Sequence, residues 1–287
     1  MSRKFEHFDE AYISICEEVL STGFRSAPRG KNITELIGFQ FQLENANNGN
    51  CLLKNRKLNY AFNVIERLQY ISGINDPKVL CFYNTNMSNF VNKESSSFDG
   101  SYGPRIKPQL DYCFKLLQED PDSRQAVITV HNQSDQRKSL DVPCTLSLQF
   151  LLRDKKLNLV ATMRSNDLLW GTPYDVSAFT FIQQVLASWL KVSVGQYFHT
   201  VGSIHIYDET KDKISSLLET EQELIERPSM VPYNSYTKLE TEELLGLFWE
   251  SEKRIRELNS YENDLPGWWG AQLEEIKTFK QRKNEKI

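Results

Sequence analysis

The sequence predicts an α+β fold, a mixed or antiparallel β-sheet with flanking helices, and three observations carry that prediction. Residues 146–152 and 157–163 alternate apolar and polar side chains about Arg153-Asp154-Lys155-Lys156, the period-two pattern of an antiparallel hairpin. Residues 176–190 form a strongly apolar run, long enough for a buried helix. A last strand follows over 198–207.

The remaining elements are read in chain order. Phe8, Ala11, Tyr12, Ile15, Val19 and Leu20 recur at helical spacing until Ser21-Thr22-Gly23 stops them, so an opening helix spans 8–20. Phe24-Arg25-Ser26-Ala27-Pro28-Arg29-Gly30-Lys31-Asn32 is a loop by its Pro, Gly and Ser content, and 33–43 reads as a strand. The cations of that loop make either a solvated turn or a phosphate clamp. Residues 60–71 are helical, with Phe62, Ile65, Leu68 and Ile71 around the single acid Glu66, and Gly73 closes the helix. A lone acid on a helix is ordinarily solvated; a semi-buried carboxylate is the alternative. Residues 84–100, rich in Asn, Ser and Phe, read as an irregular excursion. A helix over 110–117 ends at Glu119-Asp120-Pro121-Asp122-Ser123, and a short strand over 126–130 is reached through Arg124-Gln125. Helical patterns over 208–225 and 241–258 flank a break at Pro228 and Pro232, and the charge run from Lys277 to Lys286 reads as a frayed, solvated helix. Residues 1–225 are expected to form the catalytic domain, with 226–287 a helical extension packed on it. Trp249, Trp268 and Trp269 in that extension serve packing.

Composition narrows the function classes. The 287 residues are 40% hydrophobic, enough for a sizeable core. With 34 Lys and Arg against 38 acids, the net charge of −4 gives no global attraction to nucleic acid or anionic lipid. Neither partner is expected, and phosphate binding must be local. Five scattered cysteines without CxxC spacing argue against a disulfide framework and fit a reducing cytoplasm. No apolar run approaches the roughly 18 residues of a membrane span, and no signal-type stretch follows Met1-Ser2-Arg3-Lys4-Phe5-Glu6.

Cys144 carries the chemistry. It lies in Asp141-Val142-Pro143-Cys144-Thr145 at the start of a strand, where a cleft can open, and Arg164-Ser165-Asn166-Asp167 follows one hairpin later. A thiol within reach of a guanidinium suits covalent attack on an electron-poor ring that bears a phosphate. Cys16, Cys51, Cys81 and Cys113 sit among apolar residues and read as small core hydrophobes. A zinc deaminase is excluded: Pro143-Cys144-Thr145-Leu146-Ser147 has no second Cys, and no histidine begins His-x-Glu, so no metal site is expected. A Cys-His protease pairing with His131, His199 or His205 has no local signature.

Pro143-Cys144 ahead of Gln149-Phe150, Met163-Arg164-Ser165-Asn166-Asp167 with Gly171 and Pro173, and Gly202-Ser203-Ile204-His205-Ile206-Tyr207 resemble, in order and spacing, the thymidylate synthase and deoxycytidylate hydroxymethylase superfamily. The Arg29 loop, Glu66, Tyr102-Gly103 and Asp120-Pro121-Asp122-Ser123-Arg124 extend the resemblance over about residues 10–210. It implies the family fold, with one sheet face forming a homodimer interface. It further implies that Cys144 adds to C6 of a pyrimidine nucleoside monophosphate, that Arg29, Arg124 and Arg164 bind phosphate, and that Arg124 is donated across the dimer. Glu66 would order water and move protons, and His205 and Tyr207 would bind the sugar 3′-hydroxyl. Ser165 and Asp167 would line the nucleotide and folate sides, with Gln149 and Tyr102 also contacting substrate. Catalysis would rest on Cys144, Glu66 and Asp167, and the co-substrate would be 5,10-methylenetetrahydrofolate. Arg164 is also expected to lower the thiol pKa.

Departures from the synthase pattern point to cytosine. Synthases carry Asn where this chain has Asp175, because an amide can accept from uracil N3–H and donate to O4. A carboxyl sharing a proton with N3 can instead accept from the exocyclic amine of cytosine, and an ionised one facing O4 is repelled. Thr145 replaces the His that follows the synthase nucleophile, and Trp170 a smaller aliphatic residue on the folate side. Gln125 stands where the family has a second arginine, so one phosphate contact is missing or comes from Arg25, Lys31, Arg105 or Lys107. Gln281-Arg282-Lys283-Asn284-Glu285-Lys286-Ile287 differs from the apolar closing segment of synthases, which suits hydration of the intermediate. The expected activity is C5 hydroxymethylation of dCMP or CMP. A divergent synthase making dTMP from dUMP, and a non-catalytic nucleotide-binding homologue, are the alternatives.

Overall fold

In a computed structural model, which describes residues 3–137, 139–226, 233, 236–258 and 263–285, one mixed sheet is backed by helices. The chain begins with β1 (Arg3–Phe5), α1 (Phe8–Thr22), β2 (Phe24–Ser26), β3 (Ile33–Leu43), α2 (Tyr60–Ser72) and α3 (Pro77–Tyr83). It continues with β4 (Val91–Asn92), β5 (Ser97–Phe98), α4 (Gly103–Glu119), β6 (Val127–Thr129), β7 (Thr145–Arg153) and β8 (Lys156–Met163). It closes with β9 (Asn166–Asp167), α5 (Thr172–Leu190), β10 (Ser193–Tyr207), α6 (Asp208–Glu219), α7 (Lys238–Leu258) and α8 (Gly267–Asn284).

The sheet order is β1-β3-β10-β8-β7-β6, with β2 on β3 and β9 on β10. Strand β10 lies at its centre, antiparallel to β3 and parallel to β8 and β9. A parallel pair needs a crossover, and α5 supplies it with a nearly all-apolar sequence that is buried on almost every side. Helix α2 packs on both α4 and α5, so Glu66 and Asp175 come from adjacent helices.

Local chemistry explains where the elements begin and stop. Asn59 caps α2 by accepting from Phe62 N at 3.1 Å, and Gly73 ends it at φ 75°, donating to Gln69 O at 3.0 Å. The β7–β8 hairpin turns on Asp154 and Lys155, both left-handed at φ 51° and 58°, because such a two-residue turn matches the strand twist. The ladder slips between Thr145 and Ser147, a bulge immediately after Cys144.

Four expectations need correction. Helix α4 starts at Gly103 and not near Leu110: Pro104 opens its first turn, and the buried face of Ile106, Leu110, Cys113 and Leu117 carries it through Pro108. The 84–100 excursion contains a 3₁₀ turn over Thr85–Phe90 and the β4–β5 hairpin. Helix α6 stops at Glu219 because the following chain pairs with residues 52–54: Lys54 N donates to Glu223 O at 2.8 Å and Ile225 N to Leu52 O at 3.0 Å. The terminal charge run belongs to a packed helix, since Trp268, Trp269, Leu273 and Ile276 of α8 are buried and Lys283 Nζ donates to Phe82 O at 2.8 Å. The expected break at Pro228 and Pro232, and Lys286 at the end of that run, lie outside the described residues. No described helix is long and apolar enough to cross a membrane.

Candidate active site

Cys144 is half-buried at the mouth of β7, and its loop is held from several directions. Arg164 N donates to Cys144 O at 2.8 Å, and Thr145 N donates to the Tyr102 hydroxyl at 3.0 Å. The Arg164 guanidinium donates to Pro143 O and Val142 O, both at 3.0 Å. Asp141 anchors the segment behind by accepting from Gly100 N at 2.7 Å. Tyr102 itself stacks on Tyr70 with ring centroids 5.2 Å apart.

Burial pushes the Cys144 thiol pKa up, and Asp175 and Asp141 push the same way; Arg164 and Arg29 pull against them. The expectation of a thiol lowered by Arg164 is therefore corrected. The guanidinium acts in the expected direction, but desolvation outweighs it.

Three carboxyls lie within electrostatic reach of one another, Glu66 of Asp175 and Asp175 of Asp167. Burial, reinforced by nearby Asp175 and opposed by the Tyr70 hydroxyl, pushes Glu66 up to about 8. Burial pushes Asp175 up to about 7, with Asn166 opposing and Asp167 adding to it. Asn166 Nδ2 donates to Asp175 Oδ2 at 2.8 Å. Asp167 is also raised by burial, although its two oxygens accept from Leu169 N at 3.0 Å and Trp170 N at 2.8 Å. Two of the three therefore hold protons near neutral pH, an arrangement that supplies neutral donors in a place where an anion is costly.

Sheet register brings up the next residues: His205 is opposite Asp167, and Leu168 N donates to His205 O at 2.9 Å. His205 meets Tyr207 edge to face with ring centroids 5.0 Å apart. Arg29, held at φ 54° in an exposed turn, reaches the Tyr207 hydroxyl and acts electrostatically on Cys144. Ser165 lies between Arg164 and the buried Asn166.

Arg124 and Gln149 are not brought into this cluster within one chain. Arg124 is exposed, and its carbonyl accepts from Gln149 Nε2 at 2.9 Å. Gln149 is five residues along β7 from Cys144, roughly 16 Å at strand rise. Of the cations considered for the place opened by Gln125, Arg25 pairs with Asp208, Arg105 with Asp135, and Lys107 with Asp111 and Glu242. Lys31 pairs with Glu209 at 3.7 Å and also lies over the Tyr207 ring, 5.4 Å from its centroid.

Residues to which the sequence reading gave no role at this site complete the cluster. Tyr70 bonds Glu66 from one helical turn away, a spacing the sequence does contain. Arg56 donates to Leu169 O and draws Asp167 downward; Asn166, His199 and Tyr197 extend inward from Asp175. Arg56, Tyr197 and His199 come from remote segments and have no local signature. Next to Asp167, a cavity of about 630 Å³ is lined by three cations, Arg56, Lys57 and Lys213, against one acid, Asp212, with Leu169 and Trp170 as its apolar wall. An aromatic wall with flanking cations fits a flat heteroaromatic molecule that ends in carboxylates. Among the described residues no group of three or more His, Cys, Asp or Glu gathers to hold a metal ion.

A mixed sheet with a thiol at a strand mouth, an arginine-held loop beside it and protonated carboxyls on the adjacent helices α2 and α5 define a thymidylate synthase-type fold. The thymidylate synthase family model matches residues 10–244, and the chain belongs to that family. Its members are one-carbon transferases that use methylenetetrahydrofolate as co-substrate. The chain is 34% identical to the deoxyuridylate hydroxymethyltransferase of Bacillus phage SP01 over 69% of its own length and 56% of that protein. It is 23% identical to the thymidylate synthase of Buchnera aphidicola over 78% of this chain and 86% of that one. Against the Mycoplasma genitalium thymidylate synthase it is 25% identical over 77% and 88%.

Proposed function

We propose that the protein transfers a one-carbon unit from methylenetetrahydrofolate to C5 of a cytidine 5′-monophosphate, dCMP or CMP, and completes the reaction by adding water. The observation that carries the base assignment is the Asp175 carboxyl, half-protonated near neutral pH beside Glu66 and Cys144. A neutral carboxyl donates to cytosine N3 and accepts from the 4-amino group. The similarity to a phage deoxyuridylate hydroxymethyltransferase supports water, not hydride, as the final nucleophile.

Cys144 Sγ forms the bond to C6 as its S–H proton passes to solvent, while the C5–C6 π pair becomes the C4–C5 double bond and the C4–N3 π pair moves onto N3. Asp175 donates its proton to N3 as charge arrives there, which lowers the barrier for attack by a thiol whose own pKa is raised. Methylenetetrahydrofolate supplies the carbon that C5 captures, and the cavity beside Trp170 has the chemistry to hold it. Glu66 in its ionised fraction, with Tyr70 beside it, takes the C5 proton. The C5–H pair forms the exocyclic methylene as the carbon–nitrogen bond breaks and tetrahydrofolate leaves with that bond's electron pair, and Glu66 then orders the water that adds to the methylene. Departure of Sγ from C6, with the N3 proton returning to Asp175, then restores the ring. Arg29, Arg164 and Lys31 hold the phosphate, Ser165 lines the nucleotide side, and His205 and Tyr207 hold the sugar. Tyr102 acts by fixing the backbone beside the nucleophile. A homodimer would bring Arg124 to the neighbouring site, which its exposed position permits.

The phage relative's name favours a second reading, the same hydroxymethyl transfer to a uracil nucleotide. One assay separates the readings. Purified protein with methylenetetrahydrofolate and CMP, dCMP or dUMP is expected to yield a hydroxymethylated cytidylate without dihydrofolate, as read by product mass and absorbance. Hydroxymethylated dUMP would support the second reading, and methylated dUMP with dihydrofolate would overturn both.

A further inference from the structure

A row of buried side chains leads from the middle of the sheet to the Asp175 carboxyl. Tyr197 and His199 are next-but-one neighbours on β10, so both lie on one sheet face, and both are fully buried. Tyr197 Oη is 2.6 Å from His199 Nδ1, and His199 Nε2 is 3.0 Å from Asn166 Oδ1. Asn166, itself buried on β9, then donates from Nδ2 to Asp175 Oδ2 at 2.8 Å.

The last member sets the direction of every bond in the row. An ionised carboxylate only accepts, so Asn166 turns its N–H toward Asp175 and its oxygen toward His199. That oxygen requires a donor, which places the His199 proton on Nε2 and leaves Nδ1 to accept from the Tyr197 hydroxyl. His199 stays in this neutral form because burial pushes its pKa down to about 3, and Phe41 rather than an acid lies against its ring, 4.9 Å between centroids. Once the amide is oriented, Oδ2 is an acceptor whether Asp175 is charged or neutral. A neutral Asp175 then carries its proton on Oδ1.

We propose that Tyr197, His199 and Asn166 are positioning residues that set base specificity, by holding Asp175 as a donor at Oδ1 and an acceptor at Oδ2. That pattern complements N3 and the 4-amino group of cytosine. Uracil presents a donor at N3 and an acceptor at O4, so it needs the carboxyl proton on Oδ2, where the Asn166 N–H already points. A wrongly paired edge leaves buried polar groups unsatisfied, which is how a site discriminates beyond what shape achieves. The inference rests on the reading of Asp175 as the base-recognising group.

The test is the ratio of affinities for dCMP and dUMP by titration calorimetry, with the ratio of kcat/KM alongside, in wild type, Tyr197→Phe, His199→Phe and Asn166→Ala. Thermal melting checks folding, and the near-isosteric Tyr197→Phe and the Asn166→Ala change at the sheet edge keep the test open if His199→Phe does not fold. The cytosine-to-uracil ratio is expected to fall by about tenfold or more in Asn166→Ala and His199→Phe and by less in Tyr197→Phe. Parallel loss for both nucleotides, or no change, would show a merely structural row and overturn the proposal. A wild type that prefers dUMP instead sinks the base reading on which the row depends. The wild-type ratio and its change in the variants thus separate the two failures.

Discussion

Cys144 carries a neutral thiol in the free protein, because removing a thiolate from water costs more than Arg164 and Arg29 return. Cys144→Ala is expected to abolish tritium release from C5 of a labelled pyrimidine nucleotide, with a loss of at least about 10⁴-fold in turnover. Release that persists in that variant would remove the covalent mechanism. Asp175→Asn is expected to shift preference toward the uracil nucleotide by about tenfold or more, and an unchanged ratio would count against the base reading. Glu66 and Asp175 also link stability to pH. Their folded pKa values lie above the unfolded ones, so the stability they contribute is complete below about pH 4 and is lost as pH rises to about 8. The melting temperature of Asp175→Asn relative to wild type should therefore rise from acidic pH toward about pH 8. A difference that is flat with pH would mean that Asp175 ionises freely in the fold.

At the scale of elements, the β7–β8 hairpin was legible because its alternation and turn are local, whereas the two-residue β9 was not, since only pairing with β10 makes it a strand. The same contrast applies to α6, where the periodic pattern runs to Ile225 but the chain leaves the helix at Glu219 to pair with Leu52 and Lys54. Lys155 sits left-handed in the hairpin turn, a conformation that costs a side-chain-bearing residue about 1 kcal/mol. Lys155→Gly should raise the melting temperature by about 2 °C without changing kcat/KM. A lower melting temperature would show that the lysine side chain contributes something the turn geometry does not reveal.

For the molecule as a whole, Arg124 is the residue that a single chain leaves without a role, exposed beyond Gln149 and outside the Cys144 cluster. A homodimer that donates it across the interface makes a specific prediction. Arg124→Ala and Cys144→Ala proteins, each nearly inactive alone, should recover roughly a quarter of wild-type activity when subunits are mixed, since half of the dimers are hybrids with one intact site. Mixtures that stay inactive, in a preparation shown to exchange subunits, would place Arg124 outside the active site. Toward the C-terminus, α8 packs against the body through Trp268, which stacks on Phe181 of α5 at 5.1 Å between centroids.

By itself the sequence determined which chemical groups are present and in what order: the thiol of Cys144, the guanidinium of Arg164 and the carboxyl of Asp175. Those follow from motif spacing along a continuous stretch of chain. Only the tertiary structure decided their protonation and direction, because a pKa depends on burial and on charges through space. Glu66 meets Asp175 across two helices, and Tyr197 and His199 reach Asp175 through Asn166 on a neighbouring strand. No spacing along the chain encodes those distances.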